Sequence, residues 1–71
     1  MGRAQSHFEE GAAALQRGDL AAARAAFEAT VERDPSHHEG WHQLGLVHFR
    51  SLVFEDAVHA IERAVAEGAR D

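Results

Sequence analysis

The strongest constraint on this 71-residue chain is that its second half repeats its first at a spacing of 34 residues. Gly11 returns as Gly45, Ala23 as Ala57, Glu28 as Glu62 and Val31 as Val65, while Ile61 stands for Phe27 and Phe54 for Leu20. A fixed period of this length marks a structural unit that buries its apolar face on a neighbouring copy. The matches have packing reasons. Glycine in a helix interior costs up to about 1 kcal/mol against alanine, so Gly11 and Gly45 predict close helix crossings. Ala23 and Ala57 are the expected small partners there, with Phe27 and Ile61 filling the space beyond.

Breakers divide the chain into four stretches of helix formers. Fifteen alanines, with leucine, glutamate and arginine, favour helix because these side chains lose little freedom in it. The first stretch runs from Gln5 to Arg17 and ends at Gly18, a residue suited to the left-handed position after a helix. Asp19 is the expected N-cap of a second, from Leu20 to Arg33. Pro35 closes it. Ser36-His37-His38-Glu39 fits a capping box, which starts a third helix there and carries it to about Arg50. Ala57, Val58, Ile61, Ala64 and Val65 recur at helical spacing in a fourth, from Phe54 to Glu67, with Gly68 as its stop. Short connections make successive helices antiparallel neighbours.

Charge and composition exclude several functions. Twelve acidic residues face seven basic ones, all arginine, for a net charge of −5; nucleic-acid binding needs the opposite balance. No stretch approaches the ~20 apolar residues of a membrane span, and Met1 to Glu10 has no apolar core of a secretory signal, so a soluble cytoplasmic protein is expected. Cysteine is absent, which removes disulfides and thiolate metal sites. No Lys, Tyr, glycine-rich phosphate loop or serine nucleophile elbow is present, and the expectation is a non-enzyme with no cofactor.

Trp41, Leu44 and Gly45, followed by Ala57, Ile61 and Ala64, together with Gly11, Gly18-Asp19-Leu20, Ala23, Phe27 and Asp34-Pro35, resemble two tetratricopeptide repeats, about residues 4–37 and 38–71. The first copy departs from the pattern with His7 for Trp and Glu10 for Leu; the second has Ser51-Leu52-Val53 in place of a glycine-containing turn and lacks the closing Pro. The resemblance implies a single all-α domain of two helix-turn-helix hairpins, four antiparallel helices in a short right-handed solenoid. It also implies a non-catalytic module that binds a protein, a peptide or its own copy. The groove lining it implies is Gln5, Phe8, Ala12, Leu15 and Gln16 from the first repeat, and Glu39, His42, Leu46, Phe49 and Arg50 from the second. Phe8 and Phe49 serve equally well as aromatic anchors or as helix packing, and Arg50 suits a ligand carboxylate. The carboxylate clamp of chaperone-tail-binding members is missing, since Phe8 and Ala12 stand where it has polar groups. Trp41, Leu44 and Gly45 are expected in the core.

Without a capping helix before Asp71, the last helix is expected to leave Val58, Ile61 and Val65 without a full intrachain neighbour, favouring a homodimer or higher oligomer. Leu52 and Val53 belong to the same self-association face. Their turn is expected either to close without a left-handed residue, as the ordinary hairpin, or to send helices into a second chain by domain swapping.

Histidine is the compositional oddity, with six among 71 residues. His38 and His42, four apart, share a helix face at a spacing that can chelate a metal, and His37 or Glu39 is the nearest further ligand. A small histidine-based metal-binding protein is therefore the alternative function, beside a pH response as imidazoles charge near 6.5. The bland assignment is surface His near a helix start, with His7 and His48 half-buried between helices.

Overall fold

The computed structural model describes residues 3–69; residues 1 and 2, and residues 70 and 71 at the expected end of the second repeat, lie outside it. Four α-helices make up the described chain: α1 Arg3–Gln16, α2 Leu20–Arg33, α3 His38–Arg50 and α4 Phe54–Gly68. α1 packs on α2 and α3 on α4, and the contact of α2 with α3 joins the two hairpins. The result is a slab of 32 × 30 × 16 Å. Its thinness leaves every helix with a broad solvent face.

One core runs through both hairpins. Ala14, Ala23, Phe27, Val31, Leu44, Val47 and Ala60 are buried together, with Phe8, Leu15, Ala22 and Trp41 packed around them. The repeated glycines sit at the close helix approaches expected, with the Ala57 carbonyl 3.3 Å from a Cβ on Gly45, but Phe27 and Ile61 come closer still. A Cβ on Gly11 would lie 2.6 Å from Phe27 Cε1, and one on Gly45 2.6 Å from Ile61 Cδ1. The large side chains themselves press on the glycines, while Ala23 and Ala57 are buried beside them. Between the hairpins, a Cβ on Gly40 would meet Thr30 Cγ2 at 2.9 Å and Val31 Cγ1 at 3.2 Å, so α3 lies directly on α2. Trp41 Nε1 donates to the Pro35 carbonyl at 2.8 Å, and the Arg63 guanidinium lies 4.5 Å above the indole centroid. Trp41 thereby ties the loop before α3 to α4.

The two hairpin turns share one backbone. In the first, Gly18 N–H bonds Leu15 O and Asp19 N–H bonds Ala14 O. In the second, Leu52 N–H bonds Phe49 O and Val53 N–H bonds His48 O. Both are Schellman closures, which need a left-handed residue after the helix. Gly18 supplies it at φ +78° and Leu52, 34 residues later, at φ +64°. The expectation that a closed hairpin here would avoid the left-handed region is therefore corrected: the chain closes, α3 packs on its own α4, and Leu52 carries the strain.

Two caps also differ. Asp19 caps α2 as expected, accepting from Ala22 N–H at 3.1 Å. Its counterpart Val53 gives α4 no side-chain cap, although Glu55 and Asp56 in the first turn favour the positive end of the helix dipole. At α3 the cap is His37, whose Nδ1 accepts from Gly40 N–H at 2.9 Å. The expected Ser36–Glu39 box does not form, because the Ser36 hydroxyl donates to Asp34 Oδ1 at 2.6 Å.

Candidate interaction surface

The apolar surface of this protein is unevenly distributed. Leu46, Phe49, Leu52, Val53, Phe54, Val58 and Val65 are its exposed large hydrophobics among the described residues, and all belong to the second hairpin. Period and packing explain why. On the first hairpin the same positions are polar, as Asp19 and Arg24 are for Val53 and Val58, small, as Ala12 and Gly18 are for Leu46 and Leu52, or at least half-buried, as Leu15, Leu20 and Val31 are for Phe49, Phe54 and Val65. Val31 is 6% exposed with α3 upon it, whereas Val65, its counterpart, is 67% exposed. The α3/α4 surface is thus the place where one more helix, set as α3 is on α2, finds no occupant among the described residues.

Two depressions cross this surface. A trough of about 480 Å³ is lined by Gly45, Leu46 and Phe49 of α3 and by Phe54, Ala57, Val58, Ile61 and Glu62 of α4. The rings of Phe49 and Phe54 meet edge-on at 5.5 Å and form its end wall. The second depression, about 510 Å³, is lined by His38, Glu39, His42, Ile61, Ala64 and Val65. Ile61 is common to both. Leu46 and Phe49, expected in a groove, therefore stand beside Val58 and Ile61, expected on a self-association face. Glu39 and His42 join Ile61 and Val65 in the same way. The two sets meet on one surface.

The first-repeat groove residues lie elsewhere. Phe8 is half-buried, with its ring 5.5 Å from that of Phe27 and 5.1 Å from that of His37, so it braces the joint between hairpins. Leu15 is half-buried against the core. Ala12 and Gln16 are exposed, and exposed Gln5 donates to Glu9 at 3.4 Å. Phe54, Ala57, Glu62 and Ala64, which the sequence marks as repeat and helix-pattern positions and not as groove or association residues, line the depressions as well. Phe54 was legible: it follows Leu52-Val53 and stands one helical turn before Val58.

Charges frame the surface. Glu39 and Arg50 are eleven residues apart on α3, close to three turns, and so share a face with Leu46 between them. Both are exposed. His38 and His42 line the same depression as Glu39, yet the described residues contain no group of three or more His, Cys, Asp or Glu able to hold a metal. His48 is buried, and its Nδ1 has no hydrogen-bond partner among the described residues. At the other end of the slab, a depression of about 560 Å³ is lined by His7, Glu10 and Arg17 of α1 among alanines of α2. Its lining is as polar as that of the His38–Val65 depression and far more polar than that of the Leu46–Phe49–Val58 trough, and His7 Nδ1 lies 3.3 Å from Glu10 Oε1.

No described helix is long and apolar enough to cross a membrane. No solved structure matches the chain. A family model described as Tetratricopeptide repeat matches residues 4–47, from the start of α1 to Val47 in α3. With that match, four helices in two packed hairpins and the 34-residue period, the chain belongs to the tetratricopeptide repeat family.

Proposed function

We propose that this protein is a non-catalytic interaction and assembly module, its two hairpins acting as one domain, and that the α3/α4 surface is where it docks. Tetratricopeptide repeats are typically interaction modules, and the reading is supported above all by the gathering of every exposed large hydrophobic of the described chain on one hairpin. Scattered exposed apolar residues need no explanation, but a contiguous patch of this kind marks an association site. Leu46, Phe49, Phe54, Val58, Ile61 and Val65 supply the burial, while Glu39, His42 and Arg50 supply polar direction at the margins. Phe49 and Phe54 are the anchors, because large rigid rings dominate binding energy.

The test is selection of helical peptides from a displayed library against the protein and its Val58→Glu variant. Binders are expected from the wild type, with affinity reduced at least ~30-fold by the buried charge. Binders that ignore the substitution would remove the α3/α4 surface from the mechanism.

A further inference from the structure

The α3/α4 surface has an occupant that its own pattern specifies. We propose that it is a second copy of this chain, joined face to face about a two-fold axis running across the helices, so that Arg50 of each copy meets Glu39 of the other. The inference rests on the reading of this surface as the docking site and names what docks there.

Three observations support a second copy in this orientation. The first is the mismatch between the two ends of the slab. In head-to-tail stacking, α1 of one copy covers α4 of the next as α3 covers α2. The α3 residues Gly40, Trp41 and Leu44 then have Ser6, His7 and Glu10 as counterparts. Setting the His7–Glu10 pair against Val65 desolvates polar groups for no new hydrogen bond. Only the α3/α4 surface is apolar enough to cover itself.

The second is area. Leu46, Phe49, Phe54, Val58 and Val65, which line the two depressions, are left 39–67% exposed, and at roughly 100 Å² of uncovered surface apiece they supply more than half of the ~800 Å² per partner of a standard interface.

The third is charge. A two-fold interface must be complementary to itself. Glu39 and Arg50 stand at opposite ends of one face of α3, and neither makes an ion pair among the described residues. Turning the copy end for end about an axis across the helices brings each onto the opposite charge, twice. The same operation sets Phe54 opposite Val65 and Val58 opposite Ile61. Glu62, on the rim of the trough, falls opposite Ala57 and not opposite its own carboxylate. An axis parallel to the helices and running along α3 instead puts Arg50 on Arg50 and Glu39 on Glu39, and one running between α3 and α4 lays α3 on the partner's α4 and brings neither charge onto the other.

The experiment is sedimentation equilibrium across protein concentration on the whole chain, with helicity measured alongside. The wild type is expected as a species of twice the 7.8 kDa chain mass. Arg50→Glu and Glu39→Arg, both exposed and outside the core, should each weaken the dimer about tenfold. The doubly exchanged variant should recover wild-type association, and an equimolar mixture of the two single variants should form a mixed dimer about tenfold tighter than the dimer of either alone. A chain monomeric throughout, or a mass that grows without limit with concentration, overturns the inference. So does a dimer indifferent to Arg50→Glu. A monomer whose selected peptides still depend on Val58 loses the second copy and retains the docking surface; peptides indifferent to Val58 remove the surface as well.

Discussion

Leu52 is the most informative single residue. It holds the left-handed position of the second turn at φ +64°, with 73% of its surface exposed. An L-residue with a full side chain pays roughly 1–2 kcal/mol there, and an exposed leucine recovers little by burial. Glycine relieves that strain but loses about 0.5–1 kcal/mol of it to greater freedom in the unfolded chain. Leu52→Gly is therefore expected to stabilise the isolated chain by about 0.5–1 kcal/mol in urea unfolding. Val53→Asp, restoring what Asp19 does for α2, should add about 1 kcal/mol; unchanged midpoints in both variants would contradict the strain and the missing cap. The sequence shows that glycine is missing from this turn, because Gly18 lies 34 positions earlier. It does not show the outcome, because the usual rule that a left-handed position takes glycine is overridden here by the pull of two helices that must still close. The pressure on Gly11 and Gly45 is likewise visible in the period, but not its source in Phe27 and Ile61, since periodicity places residues on faces without giving side-chain directions.

At the scale of elements, the helices follow from their formers and breakers, and the terminal residues follow from local hydrogen bonding. Ser36 has the composition of a cap and is drawn away by a better acceptor. Asp34 Oδ1 takes both its hydroxyl, at 2.6 Å, and its backbone N–H, at 3.1 Å. The hydroxyl bond first, and the N–H bond second, hold the Asp34 carboxyl below its ordinary value of 3.8. A carboxyl depressed in the folded state contributes stability above its unfolded pKa and loses it as pH falls through the folded value. The α2–α3 loop should therefore lose this support only at pH below about 3.8. Ser36→Ala removes the larger cause, so the Asp34 carboxyl should titrate at higher pH in carbon-detected NMR, with α3 unaltered because His37 caps it. A fixed titration with a frayed α3 would instead make Ser36 the working cap. The choice of His37 over Ser36 was not legible in sequence, since histidine is an uncommon cap and its selection depends on where Pro35 and Trp41 hold the loop.

The whole molecule divides into a finished hairpin and an unfinished one. The first has a glycine in its turn, an aspartate cap and a neighbour covering Val31. The second has a strained leucine, an α4 without a side-chain cap, a buried histidine whose Nδ1 has no partner among the described residues, and an apolar outer face. A chain of this size buries only about 60% of its unfolded surface, so such defects weigh heavily unless docking offsets them. The repeat and the open face were visible in the sequence; the merging of the groove and association residues on one surface was not, because it depends on the tilt at which α3 lies beside α4. If docking to a second copy completes the fold, stability is tied to concentration. For a dimer unfolding to separate chains, each tenfold rise in concentration adds about 1.4 kcal/mol per dimer, and the melting temperature climbs with it. Val58→Arg places at position 58 the residue type that the first repeat carries at position 24, where it is exposed and paired with Glu28 at 3.4 Å. The corresponding Glu62 is available one turn on, so the substitution suits the monomer while charging the middle of the trough. Its melting temperature should match that of the dilute wild type and stay flat as concentration rises, whereas the wild-type value increases. Parallel, concentration-independent melting of both proteins would mean that the second hairpin stands without a copy of itself.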